Sequence, residues 1–313
     1  MIVMFKNFVT VSFSIMLASL HLFAQKADLI YDYPLDTHVH YLSPVFKLGS
    51  SDHQLFFKQS KFEKAFLISS AYGVRGDLTQ ASDLSLVRQI NNETAQIAAA
   101  SDSRFLGLCG YAMTWKRGLP ELVECLAQPH MIGVKIHTAD TMTAISDGTH
   151  YAELEEVFKT IENFKPVVLW HVLSPPAINK DDFLNKEIPL LLKLITKHPR
   201  IQFVMAHSLY SAEGVSRLAE LGGRLNSNNL YLEISTLYGG EGDLRPEYVS
   251  AWRQLGMSKI LFGTDLGLEG DGVQQSFAKR VENSVLLSDK EKNLILRINA
   301  FNLLEKITKK LGP

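Results

Sequence analysis

Short apolar runs alternate with longer amphipathic stretches along almost the whole chain, and this alternation constrains the fold more than any other feature. Eight runs rich in β-branched residues have the length of strands, at residues 33–40, 65–72, 105–112, 132–138, 166–172, 201–208, 229–236 and 259–266. Most of them contain a continuous apolar stretch, which is typical of parallel strands covered on both faces. The sequence therefore predicts a parallel sheet with helices packed against it.

The segments between these runs carry apolar residues at helical spacing. In the stretch 83–100, Leu84, Val87 and Ile90 lie three residues apart. Further helices are predicted at 151–163, 183–197 and 213–221, with a closing helix at 297–307. Eight strands that each precede a helical pattern predict an α/β fold, a single-domain (β/α)8 TIM barrel. A doubly wound open sheet is the alternative, and it usually needs fewer strands.

The first 24 residues have the organisation of a secretory signal peptide. Lys6 supplies a positive n-region, the run 8–20 carries no charge, and Ala24 is a small residue before a predicted cut at Gln25. The run is shorter than the ~20 apolar residues of a stable span, although an uncleaved anchor is the alternative. We therefore predict a signal peptide at 1–24, one domain at 25–313, export to a bacterial periplasm, and no stable membrane anchor after cleavage.

Charge and cysteine content exclude several classes of protein. Lys and Arg number 32 against 33 Asp and Glu, so no positive surplus indicates nucleic-acid binding. Two cysteines are too few for a disulfide scaffold or a Cys-rich zinc module. An oxidising compartment permits a disulfide between Cys109 and Cys125. The pair flanks a strand-to-helix connection, and the sequence does not show whether the Cα atoms come close enough to be bridged. We therefore interpret them as two buried free thiols, with the disulfide as the alternative.

Ionisable residues gather at the C-terminal ends of the predicted strands, where such a barrel builds its active site. His38 and His40 lie two residues apart on the first strand, so their side chains point the same way. Later strands end in Lys135 and His137 (fourth), His171 (fifth), His207 (sixth) and Asp265 (eighth). Imidazoles and a carboxylate brought to one place predict a divalent-metal site. The remaining histidines of the predicted domain are interpreted as solvated loop or helix-end residues: His53, His130, His150 and His198.

In its order of motifs, the chain resembles the amidohydrolase superfamily, and most closely its amidohydrolase-related branch. The matching motifs are DTHVH (36–40), GVKIHT (133–138), LWHV (169–172), FVMAHS (203–208), LFGTD (261–265) and the closing ILRINAFNLL (295–304). Each motif is weak alone, but their order and their placement on the strands are specific. The resemblance covers residues 35–306.

The resemblance implies a set of metal ligands and catalytic groups. One divalent ion would be bound by His38, His40, His171 and Asp265, and Asp265 would also take a proton. His207 would lie beside the reacting oxygen as a second catalytic residue. Zinc is the expected ion, and Mn, Fe or Co also suits His and Asp ligands. The alternative is a second ion bridged by a carboxylated Lys135, with the fifth- and sixth-strand histidines on that ion.

These residues predict metal-assisted hydrolysis of an amide, lactone or other ester of a small molecule. Lys135 and His137, together with Arg75, are expected to bind an anionic part of the substrate. Trp115 and Tyr238 are candidates for an apolar pocket wall, and Glu233 for a buried polar partner in the barrel.

Two other functions remain open at this stage. The first is non-oxidative decarboxylation of an aromatic or unsaturated acid, which some relatives carry out with nearly the same ligands. The second is a non-catalytic periplasmic binding protein for a small molecule. Related barrels often form dimers, which allows a homodimer here.

Overall fold

Eight parallel strands follow one another around a ring in the order of the sequence. The structure is a computed structural model, and it describes residues 33–41, 62–74, 80–113, 118–222, 228–237, 243–267 and 273–311. Its strands are β1 (Tyr33–Tyr41), β2 (Phe62–Ser69), β3 (Phe105–Tyr111), β4 (Met131–His137), β5 (Val167–His171), β6 (Gln202–Met205), β7 (Leu230–Glu233), β8 (Ile260–Leu261) and the short β9 (Leu266–Gly267). Each strand from β1 to β7 pairs in parallel with the next one along the chain.

The ring closes where the last strand segments meet the first strand. Residues Leu266 and Gly267 of β9 pair with Val39 and His40 of β1. The two strands at the edges of the sheet are therefore β8 and β9, which are neighbours in the chain within residues 260–267. Between them, the Thr37 N–H donates to the Phe262 carbonyl at 3.2 Å. The predicted (β/α)8 barrel is therefore confirmed as eight parallel strands that close almost completely.

Helices connect the strands and cover the outside of the barrel. They are α1 (Ala81–Ala100), α2 (Gly118–Leu126), α3 (Gly148–Ile161), α4 (Ile188–Lys197), α5 (Ala212–Gly222), α6 (Pro246–Leu255), α7 (Val273–Asn283), α8 (Asp289–Asn293) and α9 (Asn299–Leu311). A short helix Lys180–Asp182 and a π-helical turn Phe183–Glu187 lead into α4. Local capping fixes several starts, as where the Asp147 side chain accepts from the Thr149 N–H before α3. The five helices predicted from spacing are all present, with shifted ends.

The eighth strand was predicted as one continuous run at 259–266, and the structure differs from this prediction. It is interrupted after Leu261, and Asp265 has a left-handed backbone with φ 61°. The Asp265 N–H leaves the strand ladder and donates to the His38 carbonyl at 2.8 Å. This break turns the Asp265 side chain into the mouth of the barrel instead of continuing the sheet.

The hydrophobic core has two layers. One cluster takes residues from all eight barrel strands, including Phe66, Leu108, Leu169 and Tyr231, and the only helix that contributes to it among the described residues is α9. This cluster is the barrel interior. A larger cluster joins the opposite faces of the strands to the surrounding helices, with Trp170 among its fully buried members. Because side chains alternate along a strand, the residue two positions after an interior one also points inward.

The interpretation of Cys109 and Cys125 as free thiols is wrong. The two residues form a disulfide, with an S–S distance of 2.05 Å and Cα atoms 6.2 Å apart. Cys109 lies in β3 and Cys125 near the end of α2, which packs back against that strand. The Cα separation lies within the range that a disulfide requires. The helix that follows β3 therefore brings together two residues whose sequence spacing gave no such indication.

Among the residues that the structure describes, no helix has the length and apolar character needed to cross a membrane. The predicted signal peptide at 1–24 lies outside the described residues.

Candidate metal centre

The predicted first-strand histidines meet Asp265 at the C-terminal mouth of the barrel. His38 Nε2 lies 3.1 Å from His40 Nε2 and 3.0 Å from Asp265 Oδ1. His40 Nε2 lies 2.9 Å from the same carboxylate oxygen. His38 is fully buried, whereas the Asp265 side chain is 22% exposed. Three ligand-type atoms from opposite ends of the chain therefore converge at one partly open position.

Their spacing fits a shared divalent ion. Ligand bonds of about 2.1 Å place neighbouring ligand atoms roughly 3.0 to 3.4 Å apart around one ion. His207 belongs to the same group, because one ligand atom each from His38, His207 and Asp265 lie within 4.8 Å of one another. Neutral imidazoles and a carboxylate are also the donors that zinc and its first-row neighbours accept. The residues present therefore suit the ion that the sequence predicts.

The other predicted ligand, His171, lies on the His207 side of the site. Its ring centroid is 4.6 Å from that of His207 and 4.1 Å from that of His137. The His207 ring in turn lies 5.1 Å from the ring of His38. The structure thus assembles all five strand-end histidines into one continuous cluster.

Lys135 lies at the floor of this cluster. It is fully buried, and its Nζ is 3.0 Å from His38 Nε2. Burial lowers the pKa of Lys135 to about 8. Its neighbours in β4, Val134 and Ile136, belong to the larger cluster that packs against the helices, so the alternation of the strand turns Lys135 into the barrel.

His207 occupies an unusual turn instead of the predicted extension of the sixth strand to residue 208. Strand β6 ends at Met205, and His207, Ser208, Leu209 and Tyr210 all have left-handed backbones with φ between 45° and 64°. Such conformations cost of order 1 to 3 kcal/mol each in residues other than glycine. Contacts from neighbouring elements hold the turn, including the bond that Trp252 Nε1 on α6 donates to Ser208 Oγ at 3.0 Å. Strained backbone supported in this way is characteristic of functional sites.

Glu233 is buried beneath the histidines, as expected for a polar partner inside the barrel. Its Oε1 lies 2.9 Å from His38 Nδ1 and accepts from the His207 backbone N–H at 2.8 Å. Asp36 plays a similar part at the closing seam, where it accepts from Thr264 Oγ1 at 2.7 Å. Burial raises the pKa of Asp36 to about 7, against hydrogen bonds that lower it.

Burial favours the neutral form of four of the imidazoles, those of His38, His137, His171 and His207. Burial is the largest cause that lowers the pKa values of His38, His171 and His207, and it lowers that of His137 to about 3. Burial alone would raise the pKa of Asp265, but His38 and the His40 hydrogen bond outweigh it and hold that pKa well below its usual value. Neutral imidazoles beside an ionised carboxylate are the protonation states that metal binding requires.

Two tyrosines flank the cluster, and the sequence reasoning missed both. Tyr72 follows β2, with its hydroxyl 3.3 Å from His40 Nδ1 and its ring stacked on His137. Tyr210 stacks on His207 with ring centroids 4.5 Å apart. The available signal was position, since each tyrosine lies three residues after the end of a strand or after a strand-end histidine. Three residues assigned to the substrate pocket lie outside the described residues: Arg75, Trp115 and Tyr238.

Solved structures with the same architecture include enzymes that are named decarboxylases. A dihydroxybenzoic acid decarboxylase from Polaromonas sp. JS666, solved with manganese and 2-nitroresorcinol, is 15% identical with a TM-score of 0.61, and the match covers 90% of this chain and 99% of that one. The 2,6-dihydroxybenzoate decarboxylase from Rhizobium is 15% identical, with coverage of 87% and 98% and a TM-score of 0.59. At these identities the likeness shows a shared fold.

A protein described as amidohydrolase II is similar to the same degree. It is 16% identical, the match covers 87% of this chain and 99% of that one, and the TM-score is 0.62. No curated protein matches the chain. The amidohydrolase family model, however, matches residues 35–306. That span includes every strand-end residue of the cluster, and the chain belongs to the amidohydrolase family of metal-dependent enzymes.

Proposed function

We propose that the protein is a divalent-metal-dependent hydrolase that cleaves an amide, lactone or other ester of a small molecule. The observation that carries the proposal is the convergence of His38 Nε2, His40 Nε2 and Asp265 Oδ1 within 3.1 Å of one another at the barrel mouth. His38, His40, His171 and Asp265 would hold the ion. When bound there, the ion supplies Lewis-acid polarisation of a carbonyl and makes water more acidic.

Asp265 is the proposed general base. One of its oxygens faces His38 and His40, and Oδ2 lies 3.9 Å from His207 Nε2. Its side chain is the most exposed of this group, so a water molecule or substrate can reach it from the mouth. An ionised carboxylate in this position can accept a proton from water and return it to the leaving group.

His207 is the proposed second catalytic residue, beside the reacting oxygen. Lys135 and His137 are proposed to bind the anionic part of the substrate from the floor and the adjoining wall. A buried ammonium group suits this role because a carboxylate that reaches it would meet an unscreened positive charge. We assign Arg75 to the same role on the basis of the sequence.

We favour one ion, because the three atoms with ligand spacing form a single group. The test is metal stoichiometry in the wild type and in Lys135→Met. One ion per chain in both proteins is expected. A fall from two ions to one in the variant would instead support a carboxylated Lys135 that bridges two metals. Zinc is the proposed ion, and manganese should be tested beside it because the Polaromonas neighbour contains manganese.

Non-oxidative decarboxylation is the second candidate function. It is favoured by the names of the solved neighbours and by the buried cation Lys135 beside the histidine cluster. In this case the substrate would carry a carboxylate, and a protonated side chain would deliver a proton to the carbon that loses carbon dioxide.

One screen distinguishes these functions. Protein loaded with zinc or manganese is incubated with lactones, N-acyl compounds and hydroxybenzoates. Uptake of oxygen from labelled water into the product supports the hydrolase, and release of carbon dioxide without such uptake supports the decarboxylase. Stable metal binding without turnover of any substrate would favour a binding protein. Failure to bind any divalent metal would refute all three metal-dependent proposals.

We also infer export with removal of residues 1–24. The disulfide Cys109–Cys125 supports this inference, because such bonds persist mainly in oxidising compartments. The mass of the protein isolated from its native host tests it. A chain that begins at Gln25 is expected, and an intact N-terminus would contradict cleavage.

A further inference from the structure

Glu233 accepts four hydrogen bonds while completely buried. Its Oε1 is the partner of His38 Nδ1 at 2.9 Å, of the His207 backbone N–H at 2.8 Å and of Ser235 Oγ at 2.8 Å. Its Oε2 accepts from the Ser235 backbone N–H at 2.6 Å. No solvent reaches the side chain. A carboxylate has only acceptor sites, so each group directed at it must supply a proton.

The first consequence concerns the tautomer of His38. Because Nδ1 faces Glu233, it carries the ring proton, and the neutral ring keeps its lone pair on Nε2, toward which the Lys135 ammonium group at 3.0 Å can only donate. The same Nε2 lies 3.0 Å from Asp265 Oδ1 and 3.1 Å from His40 Nε2, which is the spacing of ligand atoms that share one ion. Glu233 thus prepares His38 to bind an ion through Nε2.

The same carboxylate reaches His207 through Ser235. The Ser235 hydroxyl has one proton and donates it to Glu233, so toward His207 Nδ1, 2.8 Å away, it can only accept. The Ser235 carbonyl, 3.3 Å from the same Nδ1, is also solely an acceptor. The third partner of this Nδ1 is Thr236 Oγ1 at 3.1 Å, a hydroxyl that can accept as well as donate. Because the Ser235 carbonyl can only accept, we infer that His207 carries its proton on Nδ1 and presents an unprotonated Nε2 to the site.

We propose that Glu233 is a positioning residue that fixes the tautomers of both His38 and His207, the first directly and the second through Ser235, so that two Nε2 lone pairs face one ion site. The proposal rests on the proposed metal-dependent function and deepens it. It also assigns His207 an initial role as a metal ligand or proton acceptor, because a neutral ring in this tautomer has no proton to donate from Nε2.

Glu233 also stabilises the turn that carries His207. Its bond to the His207 N–H anchors the first left-handed residue of the turn, where φ is 54°. Its own carbonyl accepts from Ser208 Oγ at 3.2 Å. Opposite it, a Cβ on Gly263 would lie 2.7 Å from Glu233 Oε2, too close to be accommodated. Glycine at position 263 thus leaves space for the Glu233 carboxylate.

The test compares two buried carboxylates that both accept backbone N–H groups. Glu233→Gln keeps the size of the side chain but replaces one acceptor oxygen by a donor. Glu187→Gln is the matched control, because Glu187 is also buried and accepts from the N–H groups of Ile145 and Ser146 at 2.6 Å and 2.9 Å. No bond joins it to the histidine cluster among the contacts of the described residues.

Zinc affinity, measured by competition with a chromophoric chelator, is the first readout. We expect Glu233→Gln to weaken zinc binding by about 10- to 100-fold. Glu187→Gln should lower the unfolding temperature and leave zinc affinity unchanged. Equal zinc affinities in wild type and Glu233→Gln would overturn the proposal.

Ring-nitrogen NMR of the metal-free wild-type protein is the second readout, and it does not depend on whether any variant folds. We expect protonated Nδ1 and unprotonated Nε2 in both His38 and His207. The opposite tautomer in either ring would overturn the proposal. If the wild type bound no metal, the proposed function would fail, and the tautomers would still decide the role of Glu233.

Discussion

His38 and Asp265 are joined twice across the closing seam of the barrel. The Asp265 backbone N–H donates to the His38 carbonyl at 2.8 Å. The side chains meet again at 3.0 Å, between Asp265 Oδ1 and His38 Nε2. The contact that closes the barrel therefore also sets the geometry of the candidate metal centre. Any change that loosens this seam should affect metal binding before it affects the outer helices.

Replacing Asp265 with Asn should abolish turnover while leaving the fold intact. The amide cannot accept a proton as a carboxylate does, so we expect activity to fall at least 10²- to 10⁴-fold at saturating metal. Circular dichroism and thermal unfolding should change little, because the side chain lies at the open end of the barrel. The control is Asp289→Asn, at a fully exposed position at the start of α8. Full activity in Asp265→Asn would remove it from the catalytic groups.

Replacing His38 with Ala should lower metal occupancy. The change removes the Nε2 atom that lies 3.1 Å from His40 Nε2 and 3.0 Å from Asp265 Oδ1. It also leaves Glu233 without one of its hydrogen-bond donors. We expect substoichiometric zinc after dialysis, measured by elemental analysis. His150→Ala is the matched control, since that histidine lies on α3 away from the cluster. Unchanged stoichiometry in His38→Ala would exclude His38 as a ligand.

Removing the disulfide should destabilise the protein. Cys109 and Cys125 are 16 residues apart, and a closed loop of about this length contributes about 3 kcal/mol to the free energy of unfolding. The variant with both Cys109→Ala and Cys125→Ala should therefore unfold at lower urea concentration than the wild type. A reducing agent should shift the wild type toward the variant and have no effect on the variant itself. A wild-type midpoint insensitive to reduction would show that the bond is not formed in solution.

The contribution of Glu291 to stability should depend on pH. Hydrogen bonds from Arg253 and from the Ser288 N–H lower the pKa of Glu291 to about 2. A carboxyl whose pKa is lowered by folding stabilises the protein above its unfolded pKa of about 4.5 and loses this effect as pH falls toward 2. Glu291→Gln should therefore cost about 1 kcal/mol at neutral pH, through the weakened α8 cap and ion pair, and progressively less in acid.

Urea unfolding of both proteins across this pH range checks the prediction. Glu220→Gln serves as control, because Glu220 pairs with Arg217 on an exposed surface and should contribute little at any pH. A difference between wild type and Glu291→Gln that stays constant with pH would contradict the linkage.

The strand order and the strand-end histidines could be predicted because both depend on local patterns. Continuous apolar runs of strand length appear directly in the sequence, and a parallel barrel places the C-terminal end of every strand on one face. His38, His40, Lys135, His171 and His207 therefore meet in one cluster once the topology is known. The predicted ends were less accurate. Strands β6 and β8 stop early where the backbone leaves the ladder to present His207 and Asp265, and β2 and β7 also stop before their predicted ends.

Only the tertiary structure decided which distant segments of the chain come into contact. The sequence by itself determined which residues form strands and helices, because the spacing of apolar side chains reflects which face each element buries. It could not determine that Cys109 meets Cys125, that Tyr72 reaches His40, or that Glu233 contacts both His38 and the His207 turn. Such pairs depend on how the helices turn back and where the ring closes. Their hydrogen-bond geometry depends on the distances between strands and helices, and local sequence patterns do not predict those distances.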